Sequence, residues 1–402
     1  MFDYLIRDTH LGDIGFSKGR VAAIGPTLPH DGPVTDAGGR FVCAGLIESH
    51  IHLDKSGIMS RCTCQQGTLK EAVASTKAAK RDFTEQDVYD RARTMVERAI
   101  LHGTLRMRTH VEVDPRIGLT SLRALRRLKQ DYAWAIDLQL CVFPQEGLLD
   151  DPGCDDVLVQ ALGEGADLVG GAPYIDQDSH GQIARIFELA KRFDFDIDFH
   201  LDFDLDPASP DADEVCRVTD AYGWGGRVTI GHSTKLSAMK PAQFDALATR
   251  LANAGIAVTT LPATDLFLMG QDATENMPRG VAPAHRLLDR GVNCSISTNN
   301  VLNPFTPYGD CSLLRIANLF ANVAQIADDS GLTECFRMIT DRPATLMRQD
   351  YGIHVGAPAD LVIFDATSPN QAVAELSPAL TAFKNGHHLF TRILPTLEAP
   401  PR

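Results

Sequence analysis

FVCAGLIESHIHLDKS, residues 41–56, is the stretch on which the reading turns. An apolar run from Phe41 to Ile47 ends in His50-Ile51-His52. Alternate residues of a strand project to the same side, about 6–7 Å apart along the backbone, so His50 and His52 share a face. Two imidazoles meeting at the end of a buried strand can chelate one divalent cation. Taken alone, the pair fits two unrelated polar residues on an exposed strand equally well. The rest of the chain decides between them.

Beyond this stretch, an apolar run, a polar loop and an amphipathic helix follow one another repeatedly. The runs fall at 45–53, 104–113, 135–145, 167–174, 195–202, 227–233, 256–262 and 292–300, eight in all. Helical stretches lie between them. Thr68-Leu69-Lys70-Glu71 has the spacing of a capping box and opens one. Residues 84–101 place Val88, Ala92, Met95, Val96, Ala99 and Ile100 on one stripe. Residues 180–191, 241–254, 282–290 and 312–327 read similarly. Eight strands alternating with helices over about 300 residues predict an α/β fold, a (β/α)8 TIM barrel, over residues 46–349. An open doubly wound sheet usually carries a glycine-rich phosphate loop after its first strand, and His-Ile-His-Leu-Asp stands there instead.

Both ends of the chain have a different texture. Residues 1–45 read as short strands broken by Gly, Pro and Asp turns, and residues 350–402 do the same, with Asn385-Gly386 as a hairpin signal. Neither end makes a sealed core alone. The two together predict one small composite β-domain of residues 1–45 and 350–402.

The totals narrow the function. A chain of 402 residues with 44 % hydrophobic and 22 % charged residues has the profile of a soluble globular enzyme. A net charge of −14 argues against a nucleic-acid partner, which wants a basic face. No apolar window reaches the ~18 residues of a membrane span, and Asp3, Arg7 and Asp8 interrupt the first apolar stretch, which argues against a signal peptide. Nine scattered cysteines, with Cys62 and Cys64 spaced CxC, read as reduced thiols of a cytoplasmic protein, not as a zinc ribbon.

In this barrel, chemistry belongs at the C-terminal ends of the strands. Those ends carry His50 and His52, then His110 and Glu112, then Gln145 and Glu146, Tyr174 and Asp176, His200 and Asp202, His232, and finally Asn299 and Asn300. His50, His52 and His200 form a three-nitrogen set that leaves one position for water on a catalytic metal. His232, on the next strand, is placed to transfer a proton. GGAPYID of the fourth strand has no lysine to bridge two ions, so one divalent metal, Zn²⁺ or Fe²⁺, is expected per chain. His110-Val111-Glu112 matches the first half of a small zinc deaminase signature whose second half, PCxxC, is absent. HExxH, GxSxG, GxGxxG and the P-loop are missing, and no motif supports a Ser or Cys nucleophile.

These residues resemble the amidohydrolase superfamily, and within it the cytosine deaminase branch. The likeness covers nearly the whole chain. GLIESHIHLDKS resembles the first metal motif, FPQEG (143–147) the stretch whose glutamine binds the pyrimidine, and DFHLD (198–202) the site of the third metal histidine. RVTIGHST (227–234), NVLNPFTPYGD (300–310) and DYGIHVGAPADLVIFDA (350–366) resemble the strand-six motif, the loop after strand eight and the return into the β-domain. THVEVD (109–114) and DLVGG (167–171) are similar to stretches of the isopropylammelide amidohydrolases of triazine breakdown. The resemblance implies a barrel with a composite β-sandwich and a mononuclear Zn or Fe centre on His50, His52 and His200. It implies His232 assisting the water, Gln145 on the substrate, and a homo-oligomer, tetramer or hexamer.

Two positions depart from that pattern. The resemblance places a metal-binding aspartate, which doubles as general base, where this chain has Asn299. An amide oxygen is a poor metal ligand and takes no proton at neutral pH. It also places a proton-shuttling glutamate where this chain has Phe203. An engineered inactivating Asp→Asn change, a weak metal site, or a natural lineage with lost or altered hydrolysis each account for Asn299. Asp202, Asp204, Glu112 and Asp54 are the candidates to replace the missing acids; Asp202, beside His200, is carried as a catalytic residue together with His232 and Asn299. Tyr174, Phe203, Leu261 and Phe305 are expected to line a pocket more apolar than cytosine needs. The leading expectation is hydrolysis of a C–N bond in a small nitrogen heterocycle, cytosine- or triazine-like. The alternatives are a catalytically impaired ligand-binding relative and a cyclic amide or carbamate hydrolase.

Overall fold

The computed structural model describes residues 2–398. The chain opens with β1 (Tyr4–Thr9), β2 (Gly12–Ser17), β3 (Arg20–Gly25), β4 (Val34–Asp36) and β5 (Val42–Cys43). Eight strands then alternate with helices: β6 (Leu46–Ile51), β7 (Thr104–Glu112), β8 (Asp137–Phe143), β9 (Leu168–Gly171), β10 (Ile197–Leu201), β11 (Val228–His232), β12 (Ile256–Thr260) and β13 (Cys294–Ile296). The chain finishes with β14 (Leu361–Phe364), β15 (Ala379–Lys384) and β16 (His387–Thr391).

β6 to β13 form one parallel sheet in strict sequence order. All eight expected runs are strands of this barrel. Such strands read as near-continuous apolar runs because helices cover them outside and side chains fill them inside. β7 has all nine residues buried, although Arg106, Arg108, His110 and Glu112 are among them. The polar ends of Arg106, Arg108 and Glu112 are paired within the barrel or with neighbouring elements.

The seam between β6 and β13 is closed differently from the other pairs. A single parallel bridge, Ile51 to Asn299, joins the two edges. The His52 amide donates to Asn299 O at 2.8 Å, and the Asn299 amide donates to His50 O at 2.9 Å. Below it, Ser49 Oγ contacts Ser295 Oγ at 2.8 Å and Ser297 Oγ at 2.7 Å, and the Glu48 carboxylate accepts from the Thr298 amide and hydroxyl. The last strand is thus shorter than the 292–300 run. Ser297 and Thr298 bond sideways through side chains, and Asn299 turns with φ +61.

The first two long helices begin at threonine caps. Thr68 Oγ1 accepts from the Glu71 amide to start Leu69–Lys80, while the Glu71 carboxylate accepts from the amides of Gln65, Gln66 and Gly67. Thr84 caps Glu85–Leu101, whose buried stripe contains all six residues expected there.

Two four-stranded antiparallel-rich sheets complete the chain, ordered β3-β2-β1-β4 and β16-β15-β14-β5. Ile6, Ile14, Phe16, Val21 and Val42 pack with Leu361, Ile363 and Phe383 in one core, so the two ends of the chain bury each other. Asn385 and Gly386, with φ +49 and +76, make the two-residue turn between β15 and β16. Lys384 Nζ reaches Asp360 at 2.8 Å and Asp137 of β8 at 2.6 Å, which ties these sheets to the barrel. No helix among the described residues is long and apolar enough to cross a membrane.

Candidate metal centre and active site

His50 and His52 stand at the end of β6, His110 on β7, His200 on β10 and His232 at the end of β11. All five are at most 3 % exposed. His200 Nε2 lies 3.2 Å from His50 Nε2 and 3.0 Å from His52 Nε2. One nitrogen each from His50, His110 and His200 also lie within 4.8 Å of one another. The two sets share His50 and His200. Burial first, and then the neighbouring imidazoles or Lys55, hold His50, His52 and His200 well below the usual histidine pKa. All three are therefore neutral, each with one bare nitrogen lone pair.

This arrangement fits a cation. Imidazole nitrogens about 2.0–2.1 Å from a tetrahedral zinc stand about 3.3 Å apart, close to the two spacings seen here. Gly231 of β11 leaves the space for one of the rings, since a Cβ there would lie 3.0 Å from His50 Cε1 and 3.2 Å from its Nδ1. His52, His110 and His200 pack around Phe143, and His200 stacks on that ring at 4.6 Å.

His232 is oriented from behind. Its Nδ1 lies 2.6 Å from Asp265 Oδ1, and Asp265 is fully buried just beyond β12. Burial pushes the Asp265 carboxyl up, and the His232 contact works against that rise. With Nδ1–H donated to Asp265, His232 Nε2 is the bare nitrogen. It faces Asn299 Nδ2 at 3.5 Å. Asn299 Oδ1 is buried without a partner.

A second group converges beside the histidines. Lys55 Nζ donates to Glu112 Oε1 at 2.6 Å and Gln145 Oε1 at 3.1 Å, and sits 4.6 Å above the Phe305 ring. Tyr174 and Phe203 face each other at 6.1 Å, and Phe203 lies 3.9 Å from the His232 ring. Ala72, Leu268, Phe203 and Phe305 form one apolar cluster, against which Leu69, Val73 and Phe267 pack. The helix Leu69–Lys80 and the segment after β12 thereby roof the histidines. Gln271 Nε2 holds the two covers together by donating to Gly67 O at 2.8 Å.

The structure brings His50, His52, His200, His232, Asn299, Gln145, Tyr174, Phe203 and Phe305 into this one region. Asp202 is elsewhere engaged. Its carboxylate accepts from the Asp211 amide at 2.8 Å and the Ala212 amide at 3.2 Å, at the start of the helix Ala212–Tyr222. Asp202 stands just past β10 with φ +50. Asp54 accepts from the Lys55 and Glu112 amides, and Glu112 is bound by Lys55 and Lys80. Asp204 lies in an ion pair with Lys235 at 3.2 Å. Sequence reasoning missed Lys55 and Asp265. Lys55 stands inside the opening stretch, and Asp265 four residues after Leu261, at the one strand end left without a polar candidate.

A profile described as "Amidohydrolase family" matches residues 120–382, and the chain belongs to that family. It is thus a hydrolase acting on carbon–nitrogen bonds other than peptide bonds. The N-isopropylammelide isopropyl amidohydrolase of Pseudomonas sp. (strain ADP) is 26 % identical over 96 % of both chains. The pterin deaminase of Rhizobium rhizogenes is 27 % identical over 88 % of this chain and 82 % of its own. The crystal structure of 5-methylcytosine deaminase from Klebsiella pneumoniae liganded with 5-fluorocytosine superposes with a TM-score of 0.93 at 27 % identity, covering 99 % of this chain and 98 % of that one.

Proposed function

We propose that this protein is a metal-dependent deaminase or amidohydrolase that removes ammonia or an amine from a small nitrogen heterocycle. One observation carries the reading: the converging nitrogens of His50, His52 and His200 stand in the same sealed region as Gln145 and Lys55. The relatives named for an ammelide, a pterin and a methylated cytosine support the substrate class. One Zn²⁺ or Fe²⁺ per chain would be held by His50, His52 and His200. That ion would supply Lewis acidity to the substrate carbon and lower the pKa of attacking water.

The chain's own residues supply the rest. His232 Nε2, kept bare by Asp265, accepts a proton from the attacking water and returns it to the leaving nitrogen. Gln145 offers a paired amide donor and acceptor to a ring edge, and Lys55 adds a cationic donor against a ring oxygen or nitrogen. Phe203, Tyr174 and Phe305 present aromatic faces to a planar ring and exclude bulk water. Phe203, where a carboxylate is the expected shuttle, leaves His232 as the principal base. The small-molecule ligand, the absence of a nucleic-acid partner and a homo-oligomeric assembly belong to the same reading.

Asn299 supports a second reading, a binding protein with little turnover, because its amide faces His232 Nε2 without basicity. A screen for ammonia and amine release over pyrimidines, triazines, pterins and cyclic ureas, with zinc or iron loaded stoichiometrically, separates the two. Release from one substrate class supports the hydrolase. Tight binding without release supports the silent relative, and ring opening without ammonia supports the cyclic amide hydrolase.

A further inference from the structure

The helix Leu69–Lys80 covers the histidines with a face that is not apolar throughout. Ala72, Thr76 and Lys80 are spaced four apart, so they share one stripe, and all three are buried. Ala72 meets the cluster of Phe203 and Phe305. Two turns further on, the same stripe carries the Lys80 ammonium. A buried ammonium is costly unless paired, and here three carboxylates stand around it. Lys80 Nζ donates to Glu112 Oε2 at 3.0 Å and to Asp114 Oδ2 at 2.6 Å, and it stands 2.5 Å from Glu146 Oε1. Burial works to lower the pKa of this ammonium, but the three carboxylates outweigh it and hold Lys80 above the ordinary lysine range.

The same carboxylates lead on to the groups set against the substrate. Glu112 is a bridge. Its Oε2 accepts from Lys80 and its Oε1 from Lys55, the latter at 2.6 Å. Lys55 Nζ in turn donates to Gln145 Oε1 at 3.1 Å. Glu146 follows Gln145 in the chain, and its other oxygen pairs with Lys77 at 2.6 Å and Arg116 at 3.0 Å. One ammonium is thus tied to Lys55 through Glu112, and to the residue beside Gln145 through Glu146. Lys77 comes from the same helix and braces the same Glu146, with a side chain 44 % exposed. The cations paired to Glu112 are Lys55 and Lys80.

We infer that Lys80 is a positioning residue for substrate recognition: from the covering helix it fixes Glu112 and Glu146, and through them the Lys55 ammonium and the Gln145 amide. The inference rests on the substrate roles proposed above for Lys55 and Gln145, and it adds the group that sets where both stand. Without Lys80, Glu112 Oε2 is a buried carboxylate oxygen with no donor, which is costly. The cation still on that carboxylate is Lys55, so its ammonium shifts towards Glu112 and away from Gln145 Oε1. An arginine at position 80 keeps the charge and loses the fit, because a planar fork does not replace a compact ammonium set among three carboxylates. Loss of Lys77 leaves the bridge from Glu112 to Lys55 in place.

The test compares wild type, Lys80→Met and Lys77→Met as full-length protein. The first readout is the ¹⁵Nζ signal of the Lys55 ammonium in lysine-labelled protein, assigned by its loss in Lys55→Met. The expected result is a signal that moves in Lys80→Met and stays in place in Lys77→Met. The second readout is steady-state kinetics on the heterocycle that the ammonia and amine screen yields. KM is expected to rise about tenfold in Lys80→Met with kcat within about threefold, the cost of one misplaced charged hydrogen bond. A Lys55 signal that does not move, or that moves equally in both variants, overturns the inference. So does a lowered melting temperature with KM and signal unchanged, which marks the ion pairs as structural only. Lys80→Arg, which keeps the charge, replaces Lys80→Met if that variant does not fold; a smaller shift in the same direction supports the inference, and wild-type behaviour overturns it. If no heterocycle is turned over, the hydrolase reading fails, and the ¹⁵N signal still decides whether Lys80 holds Lys55.

Discussion

Asp265 Oδ1 and His232 Nδ1 are 2.6 Å apart in a fully buried contact, 33 residues apart in sequence. The contact joins the end of β11 to the helix that follows β12, and it decides which nitrogen of His232 is free. Asp265→Asn removes that preference, since an amide can either accept from or donate to Nδ1. The expected effect is a fall in kcat of about two orders of magnitude with little change in KM. Steady-state kinetics with metal content measured on the same sample checks it. A parallel loss of bound metal would assign Asp265 to metal retention instead.

Asn299 Nδ2 stands 3.5 Å from the free nitrogen of His232. Asn299→Asp puts an anionic oxygen in that place without a change of shape. Turnover is expected to rise about a hundredfold, within the usual range for a positioned acid–base group. Zinc affinity should tighten as well. Turnover that stays level while zinc binds more tightly would mean that His232 alone handles the proton.

Chelation should leave a folded but inactive protein, because the core packs around helices and strands and not around the histidines. Adding zinc back should restore activity, with about one ion per chain by elemental analysis. It should also raise the melting temperature, as a ligand at about a thousand times its Kd stabilises by ~4 kcal/mol. A stripped protein whose melting curve ignores zinc contradicts the three-histidine site.

Glu112 supplies a pH signature. Burial works to raise its carboxyl, but the Lys55 and Lys80 ammonium groups outweigh that and bring it down to about 2 from the ordinary 4.5. The folded state therefore holds this carboxylate ionised more tightly than the unfolded chain does. That stability is fully present above about pH 4.5 and is lost as pH falls towards 2. The stability advantage of wild type over Glu112→Gln should shrink by about 2 kcal/mol between pH 5 and pH 3. Urea denaturation at the two pH values measures it, and an advantage that grows on acidification contradicts the assignment.

The barrel was legible because its strands are buried on both faces and so stand out as apolar runs separated by amphipathic helices. The histidines were legible for a related reason. A polar residue ending an apolar run has few structural tasks there, and five such residues coincide in one region. Lys55 was not legible, since a lysine next to Asp54 reads as solvated surface until Glu112 and Gln145, 57 and 90 residues away, are seen to bury it. Asp202 is a different case. Its place beside His200 suggested chemistry, while its carboxylate serves the amides of a helix start. Proximity along the chain counts for little across the end of a strand, where the backbone changes direction.

The seam between β6 and β13 has a wider consequence. Asn299 is held by its main chain, through the bridge to Ile51 and hydrogen bonds with His50 and His52, in a left-handed turn that asparagine and aspartate both tolerate. What fastens the barrel shut at that point is therefore indifferent to the side chain, while what the side chain does is open to exchange. Position 299 behaves like a socket. One atom swapped for another, nitrogen for oxygen, would change the chemistry offered to His232 and leave the architecture around it intact.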